Sequence, residues 1–275
     1  MSPSWRNRFY IAISPEHISL LKLGRGLKTK LQARHDEAIA PVTKQPLWQS
    51  ALDRLTQLLG EPEWQSAEVN VVLSNRLVRY ATILFSPQLK NYSEQEAFAR
   101  YALTQTFGAT AEQWALRIQH GKIGSPGLVS AVDHALLEGL RQACSAHKLK
   151  LRSITPYLMP VFNRYHKAIK SDPAWLVINE PGYSLFALLS GGEFVTVNGV
   201  YHDNMGELPI LLDRENLAGS FTEPCKSVYV YTSSGDKLSA MPAMGYEFSK
   251  LDMAAPDGFP SSEDGSYAMI MSSVR

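Results

Sequence analysis

Apolar residues run almost unbroken from Phe9 to Ile13 and return at Ile18, Leu20, Leu21 and Leu23, with Ser14-Pro15-Glu16-His17 between them. Short apolar runs separated by a Ser-Pro turn predict two strands folded back on each other. "KTKLQARHDEAIAP" reads as a further strand with mixed faces. In "PLWQSALDRLTQLLG" the period changes: Trp48, Leu52, Leu55, Leu58 and Leu59 form one helical stripe that ends at Gly60. "AEVNVVLS" and "RLVRYATILF" return to strand patterning. Ser93 and Glu96 have the spacing of a capping box, opening a helix that carries Ala97, Phe98, Tyr101 and Ala102 and stops near Gly108.

"EQWALRIQHG" predicts a short strand, and "LVSAVDHALLEGLRQACSAHKL" a long helix with Val132, Leu136, Leu140 and Ala143 inward. "KLRSITP" is a strand, and Pro156 opens a helix through Tyr165. A second hairpin system follows in "AWLVINEPGYSLFALLSGGEFVTVNGV", with turns at Glu180-Pro181-Gly182 and Gly191-Gly192. A strand at "SVYVYT", a loop at "SSGDKLSAM" and a short apolar helix at "SYAMIMSSVR" complete the chain.

Three antiparallel strands, a helix, a strand and then helices thus occur from Phe9 and again from Trp175. That repeat predicts an α/β, actin-like fold: two ribonuclease-H-like lobes with mixed sheets flanked by helices. Lobe I is expected over residues 1–155, with an inserted subdomain at about 25–90. Lobe II is expected over 156–275, with a C-terminal helix that can return to lobe I.

Composition narrows the function. With 45% apolar and 19% charged residues the chain can bury a sizeable core, and 275 residues suit one large domain or two lobes. The 27 Lys+Arg nearly cancel the 26 Asp+Glu, which gives no electrostatic footprint for nucleic acid. Lys148, Lys150 and Arg152 cluster, and a solvated helix end accounts for them. Cys144 and Cys225 have no metal or disulfide spacing and suit a reducing cytoplasm; Cys144, beside Leu140 and Ala143, is expected to be a small buried hydrophobe. No apolar run approaches the roughly 18 residues of a membrane helix, and no signal-peptide pattern opens the chain, so no direct membrane insertion is expected.

Seven histidines lack metal-binding spacing and are expected to be surface or capping residues. "GSPG", from Gly124 to Gly127, predicts a turn before a helix rather than a nucleophile elbow. "DREN" (Asp213–Asn216) and "SEDG" (Ser262–Gly265) are expected to be solvated loops. No nucleophilic constellation follows from spacing.

The opening hairpin, "VVLSNRLVRYATILFSP", "EQEAFARYALTQTFG", "ALLEGLRQACSAHKLKLRSITP", "WLVINEPGYSLFALLSGGEF" and "SYAMIMSSVR" stand in one order. In that order they resemble the actin-like platform proteins of type IV pilus and type II secretion machines, the PilM-like and GspL-like proteins. Nucleotide-binding relatives of this fold need an Asp, glycines and usually a Lys in the first hairpin, and an Asp-x-Gly in the second. In register with that pattern stand Ala12 for the Asp, Ser14 for the Gly and Ser19 for the Lys. The second hairpin offers Ile178, Asn179 and Glu180, and the adenine-side loop is Thr232-Ser233-Ser234-Gly235. Each hydrogen bond to a charged group contributes roughly 1.5–3 kcal/mol. Losing three or four removes on the order of 5–8 kcal/mol, which takes a micromolar ATP site beyond millimolar.

The resemblance therefore implies a non-catalytic scaffold, with no cofactor and no metal, peripheral at the cytoplasmic face of the inner membrane. Its partner would be the cytoplasmic tail of a bitopic pilus or secretion protein, held near the basic and aromatic strand edge at Arg76, Arg79 and Tyr80. A plain strand with solvated arginines is the simpler reading of those three residues. Two alternatives stand: an ATP-binding, weakly hydrolytic protein using Glu180 or Asp172 near Mg²⁺, and an interaction module outside pilus systems.

Overall fold

The computed structural model describes residues 7–24, 30–65, 67–84, 88–89, 91–122, 124–219, 224–232, 243–252 and 267–274. The chain divides into two compact units. The first comprises Met1–Val78, Asp133–Val161 and Met253–Arg275; the second, Arg79–Val132 and Phe162–Asp252.

The first unit is built on β1 (Asn7–Ser14), β2 (His17–Leu23), β3 (Leu31–Ala38), β4 (Ala67–Leu73) and β8 (Lys150–Pro156), in the order β3-β2-β1-β4-β8. β1, β2 and β3 are antiparallel, whereas β4 runs parallel to β1 and β8 parallel to β4. Helices α1 (Gln49–Leu59) and α3 (His134–Ala146) pack on each other. The stripe on α1 is as its period requires, with Leu52, Leu55, Leu58 and Leu59 buried. Trp48 instead stands before the helix and donates its indole N–H to Asp133 (3.0 Å). The short helix α6 (Ala268–Ser273) buries Ile270 and Met271 with Tyr10, Ala12, Leu21 and Leu23.

The second unit repeats the topology. β9 (Ala174–Glu180), β10 (Tyr183–Ser190), β11 (Glu193–Tyr201), β12 (Ser227–Thr232) and β13 (Glu247–Lys250) are ordered β11-β10-β9-β12-β13. Again the first three are antiparallel and the last two parallel. Helix α5 (Leu208–Ala218) packs Leu208, Leu211 and Leu212 against Trp175, Val177, Phe186, Leu188, Val228 and Val230. The same unit holds β5 (Val78–Ile83), β6 (Trp114–Gln119) and β7 (Gly127–Asp133), in the order β5-β7-β6, with α2 (Tyr92–Phe107) packed on them. Helix α4 (Leu158–Tyr165) follows β8.

Several local expectations change. The run beginning "LVSAVDH" is not one helix: its first part is β7, and Asp133, accepting from the Ala135 amide, caps α3. A continuous apolar run fits a buried strand as well as a helix, and the cap decides between them. "GSPG" consequently precedes a strand. Helix α2 is capped by Asn91, whose carboxamide accepts from the Glu94 amide, and it buries Ala99 and Leu103 rather than Phe98 and Tyr101. "DREN" lies in α5 with Glu215 and Asn216 buried, while "SEDG" falls outside the described residues. Lys150 and Arg152 lie on β8 rather than at a helix end, and both pair with Glu68.

Burial raises the thiol pKa of Cys144 to about 11 and also pushes that of Cys225 up. Among the described residues no helix is long and apolar enough to cross a membrane.

Candidate functional site

Each unit opens with a hairpin, and the positions expected to meet phosphate can be followed in both. In the first unit Ala12 pairs with Ser19 across β1 and β2 and lies in the apolar cluster under α6. A carboxylate there would be buried among Tyr10, Leu21 and Met271, where desolvation strongly disfavours charge. Ser14 donates its hydroxyl to the carbonyl of His17 (3.1 Å), closing the turn on itself. Ser19 is fully buried and donates to Asp36 Oδ1 (2.9 Å). Asp36 Oδ2 also faces His17 Nε2 at 3.1 Å.

The nearby Lys22 does not stand in for a phosphate-binding lysine. Three positions along β2, its side chain projects from the opposite face to that of Ser19. Its Nζ donates to the carbonyls of Glu63 and Gln65 (2.5 and 2.9 Å), and burial lowers its pKa.

The turn itself is Pro15-Glu16. Proline has no backbone N–H to offer an anion. Glu16 projects a carboxylate that Arg76 grips with both terminal nitrogens, at 2.6 and 2.8 Å. This pair joins residues sixty positions apart. Arg76 sits in the turn after β4, where Ser74 accepts from its backbone amide and Asn75 Oδ1 accepts from the amide of Leu158.

Arg76 holds the Glu16 carboxyl below its ordinary range, with burial opposing the effect. A depressed carboxylate stabilises the fold above its unfolded pKa, and the contribution disappears as pH falls through the folded value. Wild type should therefore exceed Glu16→Gln by well under about 1 kcal/mol at neutral pH, because the pair is half-exposed. That difference should shrink below about pH 4.5, in chemical denaturation of both proteins across the acidic range.

The second hairpin repeats these features. Its turn is Pro181-Gly182, so proline again removes an amide, while Gly182 adopts φ +67° as a tight turn demands. Ile178 is fully buried within β9, and Glu180 is buried at the end of that strand. Asn179 faces inward and donates to Thr232 Oγ1 (3.2 Å), and its Oδ1 accepts from Ser184 (3.0 Å). With the Ser184 proton committed there, His202 Nε2 must be the donor in its 2.9 Å contact with Ser184 Oγ. Burial lowers the His202 pKa against the opposing field of Glu207 and Asp203.

Asp172 accepts the Gly191 amide through both carboxylate oxygens (2.8 and 3.0 Å). It belongs to the opposite end of β9 from Glu180, roughly 20 Å along the strand. The two carboxylates therefore cannot share one ion. Among the described residues no group of three or more His, Cys, Asp or Glu is placed to hold a metal. In the adenine-side loop Thr232 is buried, and Ser233 to Gly235 lie outside the described residues.

Of the residues expected to face a partner, Arg76 is bound to Glu16 and Tyr80 is buried on β5. Arg79 is half-exposed, on the strand at one edge of the three-stranded sheet. The Glu16–Arg76 pair was not legible in the sequence, because its partners meet only once β1, β2 and β4 have assembled.

The class this architecture defines is the actin-like ATPase fold. The chain is similar to a Bacteroides thetaiotaomicron VPI-5482 protein of that fold and unknown function, with 10% identity over 85% of each chain and a TM-score of 0.58. Within the class it is similar to the PilM–PilN type IV pilus biogenesis complex, with 14% identity over 96% of each chain and a TM-score of 0.65. It is also similar to the cytoplasmic domain of EpsL, an inner membrane component of the Vibrio cholerae type II secretion system. There the identity is 12% over 97% of this chain and 94% of that one, with a TM-score of 0.56. At these identities the likeness establishes the fold. No protein-family model matches the chain, and no curated protein matches it in sequence.

Proposed function

We propose that this protein is a non-catalytic actin-like scaffold of a bacterial pilus or secretion assembly, which binds the cytoplasmic tail of a bitopic inner-membrane protein. One observation carries the reading: each hairpin that would cradle phosphate has a proline in its turn and a glutamate beside it. An anion site needs converging amides and positive potential, and these turns withdraw an amide and present a carboxylate. The side chains in register with phosphate ligands, Ala12, Ser19 and Asn179, are committed to core packing or internal hydrogen bonds. The likeness to a complex of PilM with PilN supports binding, rather than hydrolysis, as the working mode.

A tail would lie beside β5, the edge strand of the three-stranded sheet, near the half-exposed Arg79. Arg76, bound to Glu16, and Tyr80, buried on β5, would then stand apart from the tail.

Two measurements test the reading together. A ligand at 100 times its dissociation constant raises stability by about 2.7 kcal/mol. Millimolar Mg-ATP should leave the melting temperature unchanged, and a saturable rise would defeat the scaffold reading. Tail peptides of the bitopic membrane proteins encoded beside this gene should bind in calorimetry. Arg79→Glu should weaken that binding by about tenfold, the loss of one charge-assisted contact.

A further inference from the structure

β11 ends at Tyr201, and the residue after it closes the second hairpin from the side. The backbone amide of His202 donates to the carbonyl of Gly182 (3.1 Å), in the turn between β9 and β10. Val200 pairs with Ser184, and Ser184 with Asn179, so the side chain of His202 falls on the sheet face those residues share. There Nε2 donates to Ser184 Oγ (2.9 Å), whose own proton goes on to Asn179 Oδ1 (3.0 Å). Ser184 is fully buried. A neutral ring that donates through Nε2 carries a bare Nδ1. That Nδ1 is buried and has no hydrogen-bond partner among the described residues.

The residues that follow hold the entry to α5. Asn204 Oδ1 accepts from the Gly206 amide (2.8 Å), and Glu207 Oε1 accepts from the Asn204 amide (3.3 Å). This capping box seats the buried Met205 beside Thr232, whose hydroxyl accepts from Asn179 (3.2 Å). One imidazole thus ties together the Pro181-Gly182 turn, the Ser184–Asn179 pair and the capped turn Met205–Glu207.

We propose that His202 is a pH-sensitive catch: its neutral ring holds the Pro181-Gly182 turn and the capped turn before α5 to the sheet, and its protonation releases both. The bare Nδ1 makes no hydrogen bond that would stabilise a proton placed there out of water. The carboxylates of Glu207 and Asp203 and the backbone at Asn204 and Tyr183 favour the cation, but burial outweighs them and lowers the pKa. Glu180 pairs with Tyr183 and projects from the opposite face of β9. Once released into water the ring returns to about 6.5, the ordinary histidine value. The open form therefore binds a proton more readily than the closed one. Closure is complete above about pH 6.5 and weakens as pH falls below it, down to the folded value. The catch stands whether or not the chain binds a tail or a nucleotide.

Amide hydrogen exchange of the whole chain, followed by NMR from about pH 7.5 to about pH 5.5 and corrected for intrinsic rates, tests this. Protection at the His202 and Gly206 amides should fall by up to about tenfold per pH unit below about 6.5. Val177, inside β9, should keep its protection, which separates local release from unfolding of the unit. His202→Gln can still donate to Ser184 but takes up no proton in this range, so its protection should stay constant. The wild-type ring gives a second reading that needs no variant. Its ¹⁵N signals, assigned through the backbone, should show Nε2 protonated and Nδ1 bare at about pH 7.5, with a titration midpoint below about 6.5. No loss of protection in wild type, an equal loss in His202→Gln or a loss shared by Val177 would overturn the proposal. So would a ring already doubly protonated at about pH 7.5, or one protonated on Nδ1 alone.

Discussion

Replacing Asn216 by leucine should lower the free energy of unfolding by about 3 kcal/mol, chiefly through the partners it strands. Asn216 is buried on α5 and uses its whole carboxamide. Its Oδ1 accepts from the indole N–H of Trp175 (3.2 Å) and the amide of Cys225 (3.1 Å). Its Nδ2 donates to the hydroxyl of Tyr246 (3.0 Å) and the carbonyl of Cys225 (3.4 Å). Leucine fills similar space but leaves a fully buried indole N–H and a backbone amide unsatisfied. Tyr246 keeps one bond, because its hydroxyl donates to Asp213 (2.6 Å). Burial, with Asp213 adding to it, pushes that phenol up to about 12. Tyr246→Phe should therefore cost less, about 1–2 kcal/mol. Urea denaturation of the three proteins checks the order. A loss at Asn216 no larger than at Tyr246 would mean that water reaches the stranded groups.

Gly199→Ala should be destabilising by about 2–3 kcal/mol, although alanine is the smallest possible change. A methyl at position 199 would lie 1.7 Å from the hydroxyl oxygen of Tyr183 and 2.4 Å from the ring carbon that bears it. Tyr183 begins β10 directly after the Pro181-Gly182 turn and meets Tyr201 edge-on, with ring centroids 5.0 Å apart. The ring therefore lies across the only position on β11 without a side chain, and it cannot retreat without leaving Tyr201. Tyr183→Phe should not relieve the clash, because the ring carbon remains. Tyr183→Leu should, so the double variant Gly199→Ala/Tyr183→Leu ought to be less unstable than the two single losses summed. Thermal or urea unfolding of the four proteins forms the cycle, and strict additivity would refute the contact.

The architecture was legible because its signals are local. Ser14-Pro15 and Glu180-Pro181-Gly182 mark turns between apolar runs, and recurrence of the order β-β-β-α-β exposes the duplication. Signals failed where the deciding partner is distant. Phe98 and Tyr101 look like a core stripe until the sheet is seen to take Ala99 and Leu103. "DREN" looks solvated until Trp175, Cys225 and Tyr246 converge on Asn216. β13 is four residues long, and "EFSK" alternates too briefly to stand out from loop. For the candidate site, the identity of the missing phosphate ligands could be read directly. What replaced them could not, because Glu16 and Arg76 pair only in three dimensions.

The burial of Cys144 and Cys225 leaves the native chain without a reactive thiol among the described residues. The thiolate is the form that couples to a maleimide, and both side chains are held away from it. A cysteine introduced at Leu217, whose side chain is 81% exposed, would therefore react selectively without removal of either native one. Paired with a second introduced cysteine in the other unit, it would carry donor and acceptor dyes whose energy transfer reports any opening or closing on adding peptide or nucleotide.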